Sequence, residues 1–304
     1  MCLCASGLVA QDNAAPAPTA ANVKYGPAAR NVLDFWQAKS DKPTPVVIFF
    51  HGGGFVAGDK GEVASHPVLR QLYREGVSVI SANYRFITGP EAAPFPAPMM
   101  DGARVIQFVR SKAAECNIDP GRIALMGTSA GANMSLWIAL HDDLADPKSA
   151  DPLARLSTRV SCVVSSGGQT SNDPRWVLEH IGGSPDVHPS LLPFYGAANK
   201  VALDAPQVRR MIDEASAINH ATRDDPPIML LYGGKLNNTP LPADAPVDQS
   251  IHHPMFGKML KEKLDKLGVE CLFYYGESPP PKDAVLDFLR KHLGVTATTE
   301  APKQ

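Results

Sequence analysis

The chain has 304 residues, of which 44% are hydrophobic and 20% charged, and its formal net charge is -2. These values exclude disordered, collagen-like and strongly basic classes, and no nucleic-acid partner is expected because nothing supplies a concentrated phosphate-neutralising surface. No run of about 18 apolar residues occurs, so no membrane-spanning helix is expected either.

Met1 to Ala10 is apolar and small and leads into Gln11 to Ala21, a stretch of Ala, Pro, Asn and Thr. This resembles the end of a secretory signal followed by a disordered linker, and it predicts a secreted or periplasmic protein. From Lys42 onward, short apolar runs alternate with helical periods, the pattern of parallel strands joined by crossover helices. Strands are predicted at Val46–Phe50, Val77–Ala82, Arg122–Met126, Val160–Ser165, Ile228–Tyr232 and Glu270–Tyr275. Helices are predicted at His66–Glu75, from Met99 through Ala113, at Ala130–Leu140, from Phe256 to Gly268, and from Val285 to Gly294. Between Gly167 and Pro227 the periodicity weakens and Asp173-Pro174, Gly182-Gly183 and Ser184-Pro185 break it, which predicts a cap inserted over the sheet. The expected division is a signal-like segment and linker over 1–22, one α/β domain over 23–294 with its cap at about 168–227, and a flexible tail over 295–304.

Five cysteines occur, at Cys2, Cys4, Cys116, Cys162 and Cys271. None has metal-ligand spacing, so neither a zinc site nor a cofactor is expected from them.

Gly127-Thr128-Ser129-Ala130-Gly131 follows one predicted strand and opens a helix. In that context a G-x-S-x-G pentad holds the serine oxygen at the sheet edge on a strained turn, beside amides that favour developing negative charge. His51-Gly52-Gly53-Gly54-Phe55 follows the first predicted strand, and its glycines leave amides free to face a substrate oxygen. One amide from Gly53 or Gly54 and one from Ala130 would form an oxyanion hole, each donor worth about 3 kcal/mol.

With these motifs the chain resembles the α/β-hydrolase fold in its HGGG-bearing esterase/lipase branch. Asn83-Tyr84-Arg85, Phe95-Pro96, Asp101, Ile118-Asp119-Pro120, Arg122-Ile123 and Asp225-Pro226-Pro227 extend the likeness from about Val32 to Leu293. The resemblance implies a mostly parallel central sheet flanked by helices, a nucleophile at Ser129, oxyanion donors at Gly53, Gly54 and Ala130, and His51 as a support of the loop. It also implies hydrolysis of a small-molecule carboxylic ester without metal or cofactor.

The family's histidine follows the last strand, but here that loop reads Gly276-Glu277-Ser278-Pro279-Pro280-Pro281. Three solutions stand open. The base has moved to His253, with Asp244 as acid, His252 as substitute base and Asp248 as alternative acid. Or Glu277 is the base, which requires burial to raise its pKa. Or the chain is a catalytically reduced hydrolase homologue that binds a ligand or partner in the old cleft. Trp176, Phe194 and Tyr195 of the cap are candidates to line an acyl or sugar pocket, and a carbohydrate-linked ester fits an extracytoplasmic enzyme.

Overall fold

A computed structural model describes residues 16–184, 186 and 188–296. The signal-like Met1 to Ala10 and most of the predicted tail lie outside these residues.

Eight strands form one sheet in the order β1-β2-β4-β3-β5-β6-β7-β8. They are β1 (Ala20–Lys24), β2 (Val32–Trp36), β3 (Thr44–Phe50), β4 (Ser78–Ala82), β5 (Ile118–Thr128), β6 (Cys162–Ser166), β7 (Ile228–Leu231) and β8 (Cys271–Tyr274). From β4 through β8 neighbouring strands are parallel, whereas β1 and β2 add an antiparallel edge. Parallel strands are covered on both faces, so their sequences run apolar without alternation. Val46 to Phe50 are all essentially out of solvent, each contributing about 1.5–3 kcal/mol of burial.

The helices are α1 (Pro67–Arg74), α2 (Ala97–Ser111), α3 (Ala130–Leu140), α4 (Pro174–His180), α5 (Leu191–Tyr195), α6 (Pro206–Ala215), α7 (Ala217–His220), α8 (Val247–Ile251), α9 (Met255–Leu267) and α10 (Ala284–Leu293). α3 is buried along its whole length. α4 to α7 lie in the predicted cap insertion between β6 and β7. α9 and α10 both end on left-handed glycines, Gly268 and Gly294, as their sequences predict.

The apolar pattern predicts neither β1 nor β2, and β1, the outermost strand, falls partly in the predicted disordered linker. That expectation is corrected for its described part. The Trp36 indole N–H donates to the Pro16 carbonyl at 2.7 Å and the Gln37 amide to Thr19 Oγ1 at 3.0 Å. Edge pairing uses the backbone and needs no apolar run. In β2 the buried Asp34 meets Lys60 Nζ at 2.7 Å, and its charge breaks the hydrophobic pattern.

Strand order reverses between β4 and β5 around β3, which places a topological switch point at the carboxyl ends of β3 and β5. The glycine-rich segment leaves β3 there, and Ser129 leaves β5 beside it. Among the described residues no helix is long and apolar enough to cross a membrane.

Candidate active site

Ser129 sits between β5 and α3 with φ 50° and ψ -113°, a left-handed geometry that a non-glycine residue adopts only under strain. The flanking glycines are sterically required. A Cβ on Gly131 would lie 2.1 Å from the Phe50 carbonyl oxygen, and one on Gly127 would lie 2.4 Å from the backbone of Gly131. The turn therefore packs directly on the end of β3. A Cβ on Gly52 would come within 3.5 Å of Ser129 Cβ, so the two motifs abut.

Gly53 and Gly54 both have positive φ, at 98° and 59°. Gly54 and Ala130 line the same cleft as Ser129, and Gly53 is exposed one residue earlier. Ala130 opens α3, where backbone N–H groups lack helical partners and the helix end favours negative charge. His51 is buried and stacks on Tyr84 with ring centroids 4.4 Å apart. Its Nδ1 lies 2.7 Å from the Gly52 carbonyl and its Nε2 3.4 Å from an Arg30 nitrogen. Burial holds the His51 pKa below its ordinary value, which keeps the ring neutral as a brace for the loop.

The imidazole that meets the serine is His252. Its Nε2 lies 2.9 Å from Ser129 Oγ and its Nδ1 lies 2.8 Å from Asp248 Oδ1. Both groups come from one short element: Asp248 is in the first turn of α8 and His252 is its C-cap. Residues four apart share a helix face, so the carboxylate stands over the ring. Gln169 Nε2 donates to the Ile251 carbonyl at 2.6 Å and ties the end of α8 to the loop after β6. Gly167, with φ 64°, lies under the ring, and a Cβ there would be 3.3 Å from His252 Cδ2.

The expectation of His253 and Asp244 as base and acid is corrected by this geometry. His253 is 2% exposed, and both its nitrogens are engaged elsewhere. Nε2 bonds Asn238 Oδ1 at 2.8 Å, and Nδ1 accepts from the Met255 amide at 3.0 Å, so the ring caps the start of α9. Burial lowers its pKa. Asp244 is exposed and bonds neither histidine. Glu277 is also exposed and accepts from the Leu236 amide at 3.2 Å, away from Ser129, so the burial that a glutamate base requires is lacking. The missed signal was the spacing Asp248-Gln249-Ser250-Ile251-His252, one helical turn, closed by Pro254 two residues on.

Beside Ser129 the cleft encloses about 140 Å³ and is mainly apolar, with Val177, Leu178, Leu191, Phe194, Ile251 and Phe256 in its wall. Of the three cap aromatics, Phe194 alone faces it; Trp176 stacks between His180 and Phe256, and Tyr195 is buried beneath. His188 of the cap also lines it, its pKa lowered by burial and by His252. On the other side of His252 a wider opening of about 790 Å³ is lined by Lys235, Asn238, Gln249 and Tyr274 as well as Ser129. Cys116, Cys162 and Cys271 are unpaired thiols outside both spaces, and burial pushes Cys162 and Cys271 up to about 12.

The chain is similar to several known proteins. The probable carboxylic ester hydrolase LipM of Mycobacterium tuberculosis is 28% identical over 218 residues, which are 70% of this chain and 47% of that protein. A probable carboxylesterase of Arabidopsis thaliana is 38% identical over 110 residues, covering 34% of this chain and 31% of its own. The chain thus spans about half the length or less of these curated relatives. Among solved structures, a truncated carbohydrate esterase from gut microbiota superposes with a TM-score of 0.66 at 22% identity, over 94% of this chain and 99% of that one. An acetyl ester-xyloside bifunctional hydrolase from Caldicellulosiruptor lactoaceticus gives 0.59 at 24% identity, over 86% and 85%. Both share the α/β-hydrolase fold. The BD-FAE family profile matches residues 33–243, more than two thirds of the sequence, and the chain belongs to that family of α/β-hydrolase esterases.

Proposed function

We propose that the chain hydrolyses carboxylic esters through an acyl-enzyme on Ser129, with His252 as general base and Asp248 as its orienting carboxylate. One observation carries this: the continuous path from Ser129 Oγ to His252 Nε2 at 2.9 Å and from His252 Nδ1 to Asp248 Oδ1 at 2.8 Å. An unperturbed serine hydroxyl is a poor nucleophile and needs an acceptor within such reach. Asp248 accepts a hydrogen bond from Nδ1–H, which leaves the Nε2 lone pair to take the serine proton.

Attack on the ester carbonyl forms the Ser129 Oγ–C bond and moves charge onto the carbonyl oxygen, which the amides of Ala130 and of Gly54 or Gly53 receive. The His252 imidazolium then protonates the departing alkoxide. A water, deprotonated by the same nitrogen, releases the acid and restores the serine. Asp248 is 83% exposed, so its pull on the imidazolium is screened by solvent. Its main part is to fix the ring's tautomer and orientation.

An ester has two arms, and Ser129 borders two spaces of different character. The apolar cleft under the cap suits the acyl arm, and the wider opening at His252, into whose wall Lys235, Asn238 and Gln249 bring hydrogen-bonding groups, suits a hydroxyl-rich alcohol. A carbohydrate-linked ester is therefore the proposed substrate class, in keeping with the fold's likeness to a carbohydrate esterase. The test is to mix the protein with a p-nitrophenyl ester, quench it and map the acyl group by mass spectrometry. The adduct is expected on the peptide holding Ser129 and absent in Ser129→Ala. Turnover with no adduct at Ser129, or turnover undiminished in Ser129→Ala, would overturn the reading.

A further inference from the structure

At the far end of α3 from Ser129, three side chains from three elements converge. His141 is the C-cap of α3, Glu214 belongs to α6, and His220 is the last residue of α7. Among the described residues this is the one group in which three potential metal ligands bring their donor atoms within 4.8 Å of one another. His141 Nε2 is 2.9 Å from Glu214 Oε1, and His220 Nε2 is 4.0 Å from Glu214 Oε2. The two imidazole rings are 4.6 Å apart at their centroids, and Trp137 forms a floor 4.8 Å from His141. A tetrahedral zinc site with bonds near 2.1 Å separates its ligands by about 3.3 Å, within the range these atoms span.

Both ring nitrogens of His141 face oxygens, Nδ1 the Asp142 carbonyl at 3.1 Å and Nε2 the Glu214 carboxylate. A neutral imidazole carries one proton and can donate to only one of them. A cation between Nε2 and the carboxylate satisfies both contacts at once. The Nδ1 contact to a backbone carbonyl is the outer bond by which ligating histidines are held, leaving Nε2 to coordinate. His220 now places Nε2 2.7 Å from the Glu214 carbonyl, but that oxygen also accepts from the Trp137 indole at 2.8 Å. Turning His220 toward a cation therefore leaves no buried carbonyl unpaired.

We propose that His141, Glu214 and His220 form a structural site for a late first-row divalent cation such as Zn²⁺, with water as a further ligand. Two imidazoles and one carboxylate favour such ions over Ca²⁺ or Mg²⁺, which take all-oxygen sets. α6 and α7 belong to the cap insertion, and the nucleophile stands at the other end of α3, about 18 Å away by helical rise. A bound cation pins the cap to this helix without touching the reacting atoms.

The test is isothermal titration of the full, chelator-treated chain with Zn²⁺, with thermal unfolding alongside. One equivalent is expected to bind. At a hundred times its Kd the cation should raise Tm by roughly 5 °C. Glu214→Gln and His220→Asn, both at accessible positions, should each weaken binding by roughly tenfold or more and remove the Tm rise. Unchanged far-UV circular dichroism and ester turnover would show that these variants fold. His252→Ala should keep the binding, which separates this site from the Ser129 cleft, and Ca²⁺ should give no saturable binding. Absence of one-to-one Zn²⁺ binding, binding unaffected by Glu214→Gln and His220→Asn, or binding lost in His252→Ala would each overturn the proposal.

Discussion

Ser129 and His252 are 123 positions apart and meet at 2.9 Å because each is held by a glycine with a defined task. Gly131 lets the serine turn sit on the end of β3, and Gly167 leaves room for the imidazole. The second case gives a clean prediction. Gly167→Ala places a methyl 3.3 Å from His252 Cδ2 at φ 64°, where an L side chain is strained. The ring must give way, and a small misplacement of a base costs rate rather than binding. Steady-state kinetics should show kcat reduced about tenfold to a hundredfold with KM nearly unchanged; an unaltered kcat would show that the ring's position is not held there. At this scale the serine and both glycine motifs were legible in the sequence, because their spacing follows from strand-to-strand sterics. The partner of the serine was less so. His252 and His253 are adjacent in sequence, and their opposite directions depend on a helix boundary falling between them.

α8 is five residues long, too short to persist by itself, and its two ends are fixed from outside. Gln169 holds the Ile251 carbonyl, and His253 turns back to cap α9. Nothing in the segment's composition announces this helix, which lies in a proline-rich stretch, and so the one-turn relation of Asp248 to His252 was hidden. β1 and β2 were hidden for a different reason: β1 is an outermost strand defined by backbone pairing, and the apolar run of β2 is broken by Asp34. The inner parallel strands and the long helices were plain from their periodicity. Between two such helices lies an ion pair with a pH signature. Arg290 of α10 forks onto Glu75 at the C-cap of α1, at 2.9 and 2.5 Å, and the Glu75 side chain is 1% exposed. The guanidinium holds the Glu75 pKa below its ordinary value, so the pair's stabilisation is present above the usual carboxylate range near 4.5 and is lost as pH falls toward the folded value. Arg290→Met should cost about 3 kcal/mol at pH 7 in denaturant titration, by leaving the buried Glu75 carboxylate with the Gln71 amide but no countercharge. The loss relative to wild type should shrink as Glu75 protonates below about pH 4.5. A loss of equal size at pH 7 and pH 3 would assign the effect to packing instead.

Over the whole molecule, the strand order decides where chemistry can occur. Reversal around β3 opens the crevice at the carboxyl ends of β3 and β5, and the two glycine motifs lie there because both follow those strands. The loop after β8, where the resemblance expects a histidine, holds an exposed Glu277 that accepts from the Leu236 amide and three prolines. The segment between β7 and α9 brings His252 to the serine instead. The most direct measurement is therefore kcat/KM on p-nitrophenyl acetate for wild type, His252→Ala and His253→Ala, each checked for folding by circular dichroism. The account predicts a fall of at least about 10³-fold for His252→Ala, as expected when a triad base is removed, and a change within about threefold for His253→Ala. Near-wild-type turnover in His252→Ala, or a deeper loss in a folded His253→Ala than in His252→Ala, would contradict it.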